Sequence, residues 1–348
     1  MKAAIVILNF NGAHHLEQFL PSVIENSPEW SEIIVADNGS EDHSLEFMRV
    51  NHPKIRVISF SKNYGFAGGY NKALEQVDAE YYAILNSDCQ VTSGWLEGMV
   101  AHLDESENNV AAQPKIKDFK KRNYFEYAGA SGGFIDKYGY PFCRGRIFNN
   151  CERDIGQHND IREIFWASGA CLVIKSNAFW EAEGFDADLF AHMEEIDLCW
   201  RLKNMGHRVF CYPESVVYHL GGGTLSVQSP FKTYLNFRNN LSIIVKNDYR
   251  SNYRNRLIKR MVLDGIAGVH FLVSRGPAHF AAVVKAHIHF YKILPELKRK
   301  RLYWRDKARN VNRSGIFKGS ITHSFFREKK RVFGALSSRD IVRQGRRK

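Results

Sequence analysis

The first hundred residues alternate between short apolar runs rich in β-branched side chains and stretches of helical period. The apolar runs lie at residues 3–8, 32–36, 55–60 and 81–85. Between them Leu16, Phe19, Leu20, Val23 and Ile24, then Leu45, Phe47 and Met48, then Tyr70, Ala73, Leu74 and Val77 mark three helix faces. Short apolar runs bounded by turn residues read as strands, and rows spaced by three and four read as helix faces. Strand–helix–strand in this order predicts right-handed βαβ units. The expected class is therefore α/β, with an open, mostly parallel sheet covered by helices on both faces. Ser40 is expected to open the second helix, with Asp42 placing negative charge in its first turn.

Each run ends on polar residues: Asn9-Phe10-Asn11-Gly12, Asp37-Asn38-Gly39-Ser40, Asn63-Tyr64-Gly65 and Asn86-Ser87-Asp88. In an open parallel sheet the carboxyl ends of the strands converge on one crevice, where ligands bind. Four strand ends carrying Asn and Asp thus predict a site for a polar, phosphate-bearing ligand with a metal. A helix is expected at 95–103, after which the alternation stops, and 105–165 reads as short strands and long loops. A second ordered block spans 165–218: a strand at 170–174, a helix at 176–183, an acid-headed helix at 194–205 and a strand at 209–212. From Tyr234 to about Leu294 the pattern is helical. A Walker loop is absent, and the glycines Gly65, Gly68 and Gly69 follow the third strand, not the first, which disfavours NAD chemistry.

With 348 residues the chain fits one large domain or two, and 44% apolar content argues against bulk disorder. Met1-Lys2 leads straight into the first strand, so no secretory leader is expected, and no apolar run approaches the ~18 residues of a membrane span. Six cysteines without a CxxC pair suit a reducing cytosol. Charge is concentrated at the end. Residues 296–348 carry a net +14 while residues 1–295 sum to −2, so the chain is near-neutral with a basic tail. Such a tail reads either as a solvated end or as a segment drawn to an anionic surface.

The motifs also resemble a known family. Ile5-Val6-Ile7-Leu8-Asn9-Phe10-Asn11-Gly12, Val35-Ala36-Asp37-Asn38-Gly39-Ser40-Glu41-Asp42, Asn63-Tyr64-Gly65-Phe66-Ala67-Gly68-Gly69-Tyr70-Asn71 and Leu85-Asn86-Ser87-Asp88 look like the donor half of a family-two glycosyltransferase with the GT-A fold. Phe165-Trp166-Ala167-Ser168-Gly169-Ala170, Met193-Glu194-Glu195-Ile196-Asp197-Leu198-Cys199-Trp200-Arg201 and Val217-Tyr218-His219 look like its acceptor half. The resemblance is to the rhamnosyltransferase-like, cell-envelope subgroup and covers residues 3–245. It implies a Rossmann-like GT-A domain, with residues 1–104 binding the nucleotide-sugar and 105–245 holding acceptor and catalysis. A helical C-terminal extension, 246–348, would carry a basic, membrane-associating tail.

What the resemblance implies chemically is an inverting transfer from a nucleotide-diphosphate sugar to a hydroxyl of a glycan or lipid-linked acceptor, with Mg2+ or Mn2+. Asp37 would accept a hydrogen bond from the base. Asn9, Asn11, Asn38, Asn63, Gly65, Gly69, Asn86 and Ser87 would complete the donor site. Asp88 matches the last acid of the family's DxD motif, with Asn86 in place of the first, and His219 would join it on the metal or the diphosphate. Glu195 would be the general base, with Glu194, Trp166 and Gly169 shaping the acceptor site. Gly221-Gly222-Gly223-Thr224, beside His219, would form a closing lid. Plainer readings stand beside these: Trp166 as core, Glu194 and Asp197 as acids of a first helical turn, and Glu194 in place of Glu195 as base. The competing functions are a nucleotidyltransferase sharing the sheet and metal and, more distantly, a basic nucleic-acid binder. The slightly acidic first 295 residues disfavour any nucleic-acid partner. The absence of a QxxRW motif disfavours a processive synthase. The expected location is cytoplasmic, at the inner face of the cytoplasmic membrane, with peripheral contact through the basic tail.

Overall fold

The computed structural model describes residues 1–221 and 229–343. Its strands are β1 (Ala3–Asn9), β2 (Ser31–Asp37), β3 (Arg56–Ser59), β4 (Tyr81–Asn86), β5 (Cys89–Val91), β6 (Asn109–Asp118), β7 (Gly133–Asp136), β8 (Pro141–Cys143), β9 (Arg146–Ile147), β10 (Asn150–Cys151), β11 (Arg162–Ile164), β12 (Cys171–Lys175), β13 (Arg208–His219) and β14 (Ile316–Phe317). Its helices are α1 (Ala13–Asn26), α2 (Ser44–Asn51), α3 (Gly65–Leu74), α4 (Glu97–Asp104), α5 (Ser176–Glu181), α6 (Glu194–Asn204), α7 (Pro230–Asn247), α8 (Tyr253–Ser274), α9 (Pro277–Lys307) and α10 (Ile321–Phe326).

One sheet runs in the order β11-β13-β6-β12-β4-β1-β2-β3, with β5 paired to the end of β13. β3, β2, β1 and β4 are mutually parallel. β12 is antiparallel to both β4 and β6, and β13 is parallel to β6. β6 and β13 therefore run in the sense of β4, and the carboxyl ends of β1, β2, β4, β6 and β13 open on the same edge. The pleat sends alternate side chains to opposite faces. Ala4 and Val6 of β1, with Tyr82 and Ile84 of β4, pack under α3, α5 and α6 against Tyr70, Phe179 and Leu198. Ile5, Ile7, Ala83 and Leu85 face the other way, against Leu16 and Leu20 of α1 and Met99 and Leu103 of α4. Both faces are covered, as the alternation predicts.

Three expectations change. The second helix begins at Ser44; Ser40 instead accepts hydrogen bonds from Asn9 Nδ2 (3.2 Å) and Asn11 N (2.9 Å), and Asp42 Oδ1 accepts from Ser44 N (3.0 Å). The strand expected at 209–212 continues as β13 to His219, its pairing with β6 shifting between Tyr212 and Val216. The largest change concerns the tail. α9 runs on through Lys298-Arg299-Lys300-Arg301 to Lys307, and the chain then returns to the second sheet and the main core. β14 joins the second sheet, order β10-β9-β8-β7-β14, and Ile316, Phe317, Ile321, Phe333, Leu336 and Ile341 belong to the main core. Lys300 pairs with Asp186 and Asp188, each at 2.7 Å, and Lys307 with Glu183 at 2.7 Å. Up to Arg343 this segment is packed structure, not a solvated tail, because half a dozen apolar side chains set among its cations have a core to fill.

Candidate active site

Asp37 ends β2 and is buried, its carboxylate already accepting from Asn9 Nδ2 at 3.0 Å and Ser40 N at 2.9 Å. A carboxylate offers about four acceptor sites, so capacity remains for a base N–H. Asn9 Oδ1 is buried without a partner, and a side chain at Gly12 would sit 2.5 Å from it. Asn11 takes φ +51 and locks the two loops together, donating from its N–H to Ser40 and accepting from Glu41 N at 2.8 Å. Asn38 holds the next loop: its Nδ2 donates to Asn63 Oδ1 and Gly65 O, both at 3.0 Å, and its Oδ1 accepts from Tyr64 N at 3.0 Å. Gly69 lets α3 lie close on the sheet, since a Cβ there would meet Leu8 at 3.0 Å. Asn9 and Asp37 thus sit on the strand ends themselves. Asn11, Asn38, Asn63, Gly65 and Gly69 shape the loops around them.

The acidic end of β4 meets the end of β13 because β5 pairs with it, placing His219 opposite Cys89, and Leu220 N donates to Asp88 O at 3.0 Å. His219 Nε2 lies 3.1 Å from Asp88 Oδ1, and its Nδ1 lies 3.4 Å from Glu126 Oε1. Asn86 Nδ2 is 3.4 Å from His219 Nε2, and Ser87 is half-buried beside Gly12. Burial disfavours the imidazolium, yet the two carboxylates outweigh it and hold the His219 pKa well above its usual value. Burial likewise pushes Asp88 up, but His219 more than offsets this and keeps Asp88 below the usual carboxylate range. His15 on α1 faces the same pair; burial and its neighbour His14 lower its pKa, so it stays neutral.

Asp88, Cys89 and His219 bring their ligand atoms within 4.8 Å of one another. Cys89 Sγ donates to Ala170 O at 3.3 Å, and burial raises its pKa well above the ordinary thiol value. It therefore stays a thiol, a poor ligand for a hard cation. The Asp88 carboxylate and the His219 imidazole remain; a divalent ion would have to displace the proton that the two carboxylates hold on His219, and the pair would leave its other positions to diphosphate oxygens and water.

Glu195 enters from α6, whose approach is strained: Phe190, His192 and Met193 take φ of 64°, 67° and 74°. Non-glycine residues in this region cost on the order of 1–3 kcal/mol each and persist only where the surroundings fix them. Here α7 fixes them. Asn239 Nδ2 donates to the carbonyls of Leu189 (3.0 Å), Ala191 (2.9 Å) and His192 (2.7 Å). From the other side, Phe190 O accepts from Phe66 N at 2.9 Å, and Gly65 at φ +74 leaves room for that approach. Glu195 is half-buried, with Oε2 unpartnered, and burial pushes its pKa up to about 7. Glu194 is buried more deeply; burial and the neighbouring Glu195 raise it well above the usual carboxylate value.

A side chain at Gly169 would stand 3.9 Å from Glu195 Cβ, and the adjacent Ala170 O accepts from Asn86 N at 3.0 Å. Gly169 therefore bridges the end of β4 to Glu195. Trp166 does not reach the site. It is buried in the core with Nε1 donating to Phe134 O at 3.0 Å, its ring against the backbone of Gly133. Asp197 is also structural, bonded to Arg201 Nε (2.9 Å) and Asn247 Nδ2 (2.7 Å) and paired with Lys246. Gly222-Gly223-Thr224 lies outside the described residues. Sequence reasoning missed Glu126, which sits in a stretch without period, and His15, which reads as one polar position on a helix. It also missed Asn239, whose only signal is the polar run Arg238-Asn239-Asn240 inside an apolar helix.

Comparison with known proteins adds to this geometry. The chain is 25% identical over 230 residues to the N-acetylglucosaminyl-diphospho-decaprenol L-rhamnosyltransferase of Mycobacterium tuberculosis, covering 62% of this chain and 75% of that protein. Its fold is similar to GalNAc-T7, solved with UDP, GalNAc and Mn2+: TM-score 0.62 at 15% identity, over 94% of this chain and 56% of that one. This chain thus spans about half of the GalNAc-T7 chain. It is also similar to S. aureus TarS 1–349 with UDP, at TM-score 0.52 and 18% identity, over 89% of this chain and 88% of that one. The model of glycosyl transferase family 2 matches residues 4–182, just over half of the chain, and the protein belongs to that family of glycosyltransferases.

Proposed function

We propose that the enzyme transfers a sugar from a nucleotide-diphosphate donor to a hydroxyl of a lipid-linked glycan acceptor, with inversion at the anomeric carbon. The observation that carries this is the pairing of two kinds of carboxylate across Gly169–Ala170. Asp88 is held ionised beside His219, and Glu195 is poised to take a proton near neutral pH. Asp88 and His219 would hold a divalent cation, which supplies charge neutralisation for the departing diphosphate. Glu195 Oε2, without a partner in the fold, takes the proton of the acceptor hydroxyl. The acceptor oxygen forms its bond to the anomeric carbon as the bond to the diphosphate breaks, with the proton left on Glu195. Asp37 reads a base N–H with its remaining acceptor capacity.

The mycobacterial relative is named for a decaprenol-diphosphate acceptor, and that supports a lipid-linked acceptor, a role in cell-envelope glycan synthesis and work at the cytoplasmic face of the membrane. Mn2+ in the GalNAc-T7 structure supports Mn2+ as the first cation to test. The experiment is thermal stabilisation by a panel of nucleotide-sugars with and without Mn2+, followed by product analysis. Binding to the native state alone raises stability by mass action, so one donor should raise the melting temperature only when the cation is present. Asp88→Asn should remove that cation-dependent rise and leave the melting curve of the free protein cooperative. Release of pyrophosphate instead of a nucleoside diphosphate would sink the transferase mechanism, and a rise unchanged in Asp88→Asn would sink the cation site.

A further inference from the structure

At the amino-terminal end of α8 lies a cavity of about 560 Å3 with no carboxylate in its lining. Six cationic side chains line it: Lys137, Arg250, Arg256, Lys259, Arg313 and Lys318. Asp248, behind it, is shared by Arg250 (2.8 Å) and Arg256 (3.0 Å). Among the described residues, Lys137, Lys259, Arg313 and Lys318 have no acidic partner. So many like charges around one hollow repel each other, and an anion relieves that repulsion.

The cavity continues into an apolar face. Asn255 and Lys259, which line it, share one side of α8 with Val262, Ile266, Val269 and Val273, at steps of three and four. Those four apolar side chains are 58–85% exposed, and Ile258 beside them is 59% exposed. Arg260, Asp264 and Gly268 take the buried side of the same helix. Ile258 to Val273 spans ~23 Å at helical rise. α9 adds a second exposed row, Val284, Ile288 and Tyr291, and Tyr291 Oη donates to Met261 Sδ of α8 at 3.8 Å. Among the described residues no helix is long and apolar enough to cross a membrane.

We propose that this face of α8, with the basic cavity at its end, docks the enzyme on an anionic bilayer, apolar side chains entering the headgroup boundary and the cavity taking lipid phosphates. A helix with an apolar face flanked by cations is what lies in the plane of an interface, and anionic leaflets attract such clusters. Charge complementarity selects the occupant: a second copy of this chain would bring the same cations to the same surface. The inference rests on these surfaces alone and stands apart from the assignment of Asp88 and Glu195. It moves the membrane contact from a solvated tail to α8, with Arg313 and Lys318 of the packed returning chain contributing to the cavity.

The test is sedimentation of the full chain with vesicles of phosphatidylcholine alone or mixed with phosphatidylglycerol, at low and high salt. Wild type should bind the anionic vesicles only, and high salt should weaken binding. The double variant Lys259→Glu, Lys318→Glu should lose more than about tenfold in anionic binding. Val262→Ser with Ile266→Ser and Val269→Ser should lose the salt-resistant part. Both variants, changed only on the surface, should keep the wild-type melting temperature and donor-induced stabilisation. Absence of binding to anionic vesicles, or equal binding by wild type and both variants, would overturn the proposal. So would a wild-type dimer that the serine variant turns monomeric with no vesicle binding, which gives the face to a second copy. Stabilisation by glycerol phosphate without vesicle binding would give the cavity to a free anion and likewise overturn it.

Discussion

Glu194 and Glu195 are identical neighbours in sequence, and their surroundings separate their roles: Glu194 lies deeper and also feels the charge of Glu195. A general base must be ionised when the acceptor arrives, and Glu195, raised to about 7 by burial, reaches that state near neutral pH. Glu194, raised well above the usual range, stays protonated. Glu195→Gln should therefore lower turnover by roughly 10²–10⁴ with donor affinity kept, whereas Glu194→Gln, isosteric with the protonated acid, should leave turnover within about fivefold of wild type. Wild-type kcat/KM should rise with pH through about 7 as Glu195 loses its proton, and a profile flat from pH 5 to 8 would exclude it as the base. The same shift has a sign for stability. A carboxyl whose folded pKa is raised from 4.5 to about 7 contributes stability below the lower value, and that contribution is lost as pH rises to the upper one. Glu195→Gln should thus unfold like wild type near pH 4.5 and be more stable by about 1–3 kcal/mol at pH 8, measured by urea unfolding at both pH values. The acid pair was legible as a motif, while the choice within it needed the depth of each side chain, which no spacing reports.

At the scale of elements, β1–β4 and α1 to α3 were legible because β1, β2 and β4 are apolar runs packed into the two core layers, the edge strand β3 keeps an apolar pair at Val57-Ile58, and each helix carries one apolar row. β13 was read short because Pro213-Glu214-Ser215 breaks its apolar run where its pairing with β6 shifts. α2 was read early because Ser40 resembles a cap; its hydroxyl is used instead to tie the first two strand ends together. The loop before α6 was invisible, since Phe190 and Met193 are not residues that announce a left-handed backbone. Its geometry is imposed from α7. Removing the Asn239 amide strips three carbonyls of their shared donor, at a cost of roughly 1–3 kcal/mol. The strained loop then has reason to relax, and Glu195 moves with it. Asn239→Ala should therefore lower turnover by at least about tenfold while leaving donor binding near wild type, since a small displacement of a reacting group is costly. An equal loss of donor affinity and turnover would place the effect of Asn239 in the fold as a whole.

At the scale of the whole molecule, composition misled where it was most extreme. A stretch with net +14 reads as a solvated end or as a segment drawn to an anionic surface because charge outweighs its few apolar side chains, and periodicity cannot show that those few fit a distant sheet. Ile316 pairs with Ile135 and Phe317 with Asp136, about 180 residues earlier, a contact that no local pattern encodes. Phe333 packs among aromatics, its ring centroid 5.0 Å from that of Phe134 and 6.2 Å from that of Phe142. Its backbone N–H donates to Glu152 Oε1 at 2.7 Å, so the returning chain is fixed by both packing and a hydrogen bond. The catalytic sheet and the last described residues therefore share one core and should unfold together. Phe333→Ala should cost about 3–5 kcal/mol, seen as a lower urea midpoint with an unchanged slope, and the loss should appear equally by near-ultraviolet and far-ultraviolet signals. Deletion after Lys307 should go further, exposing the edge of β7 and leaving the protein prone to aggregate. A truncated chain with the wild-type unfolding midpoint would mean that the segment rests on the domain without supporting it.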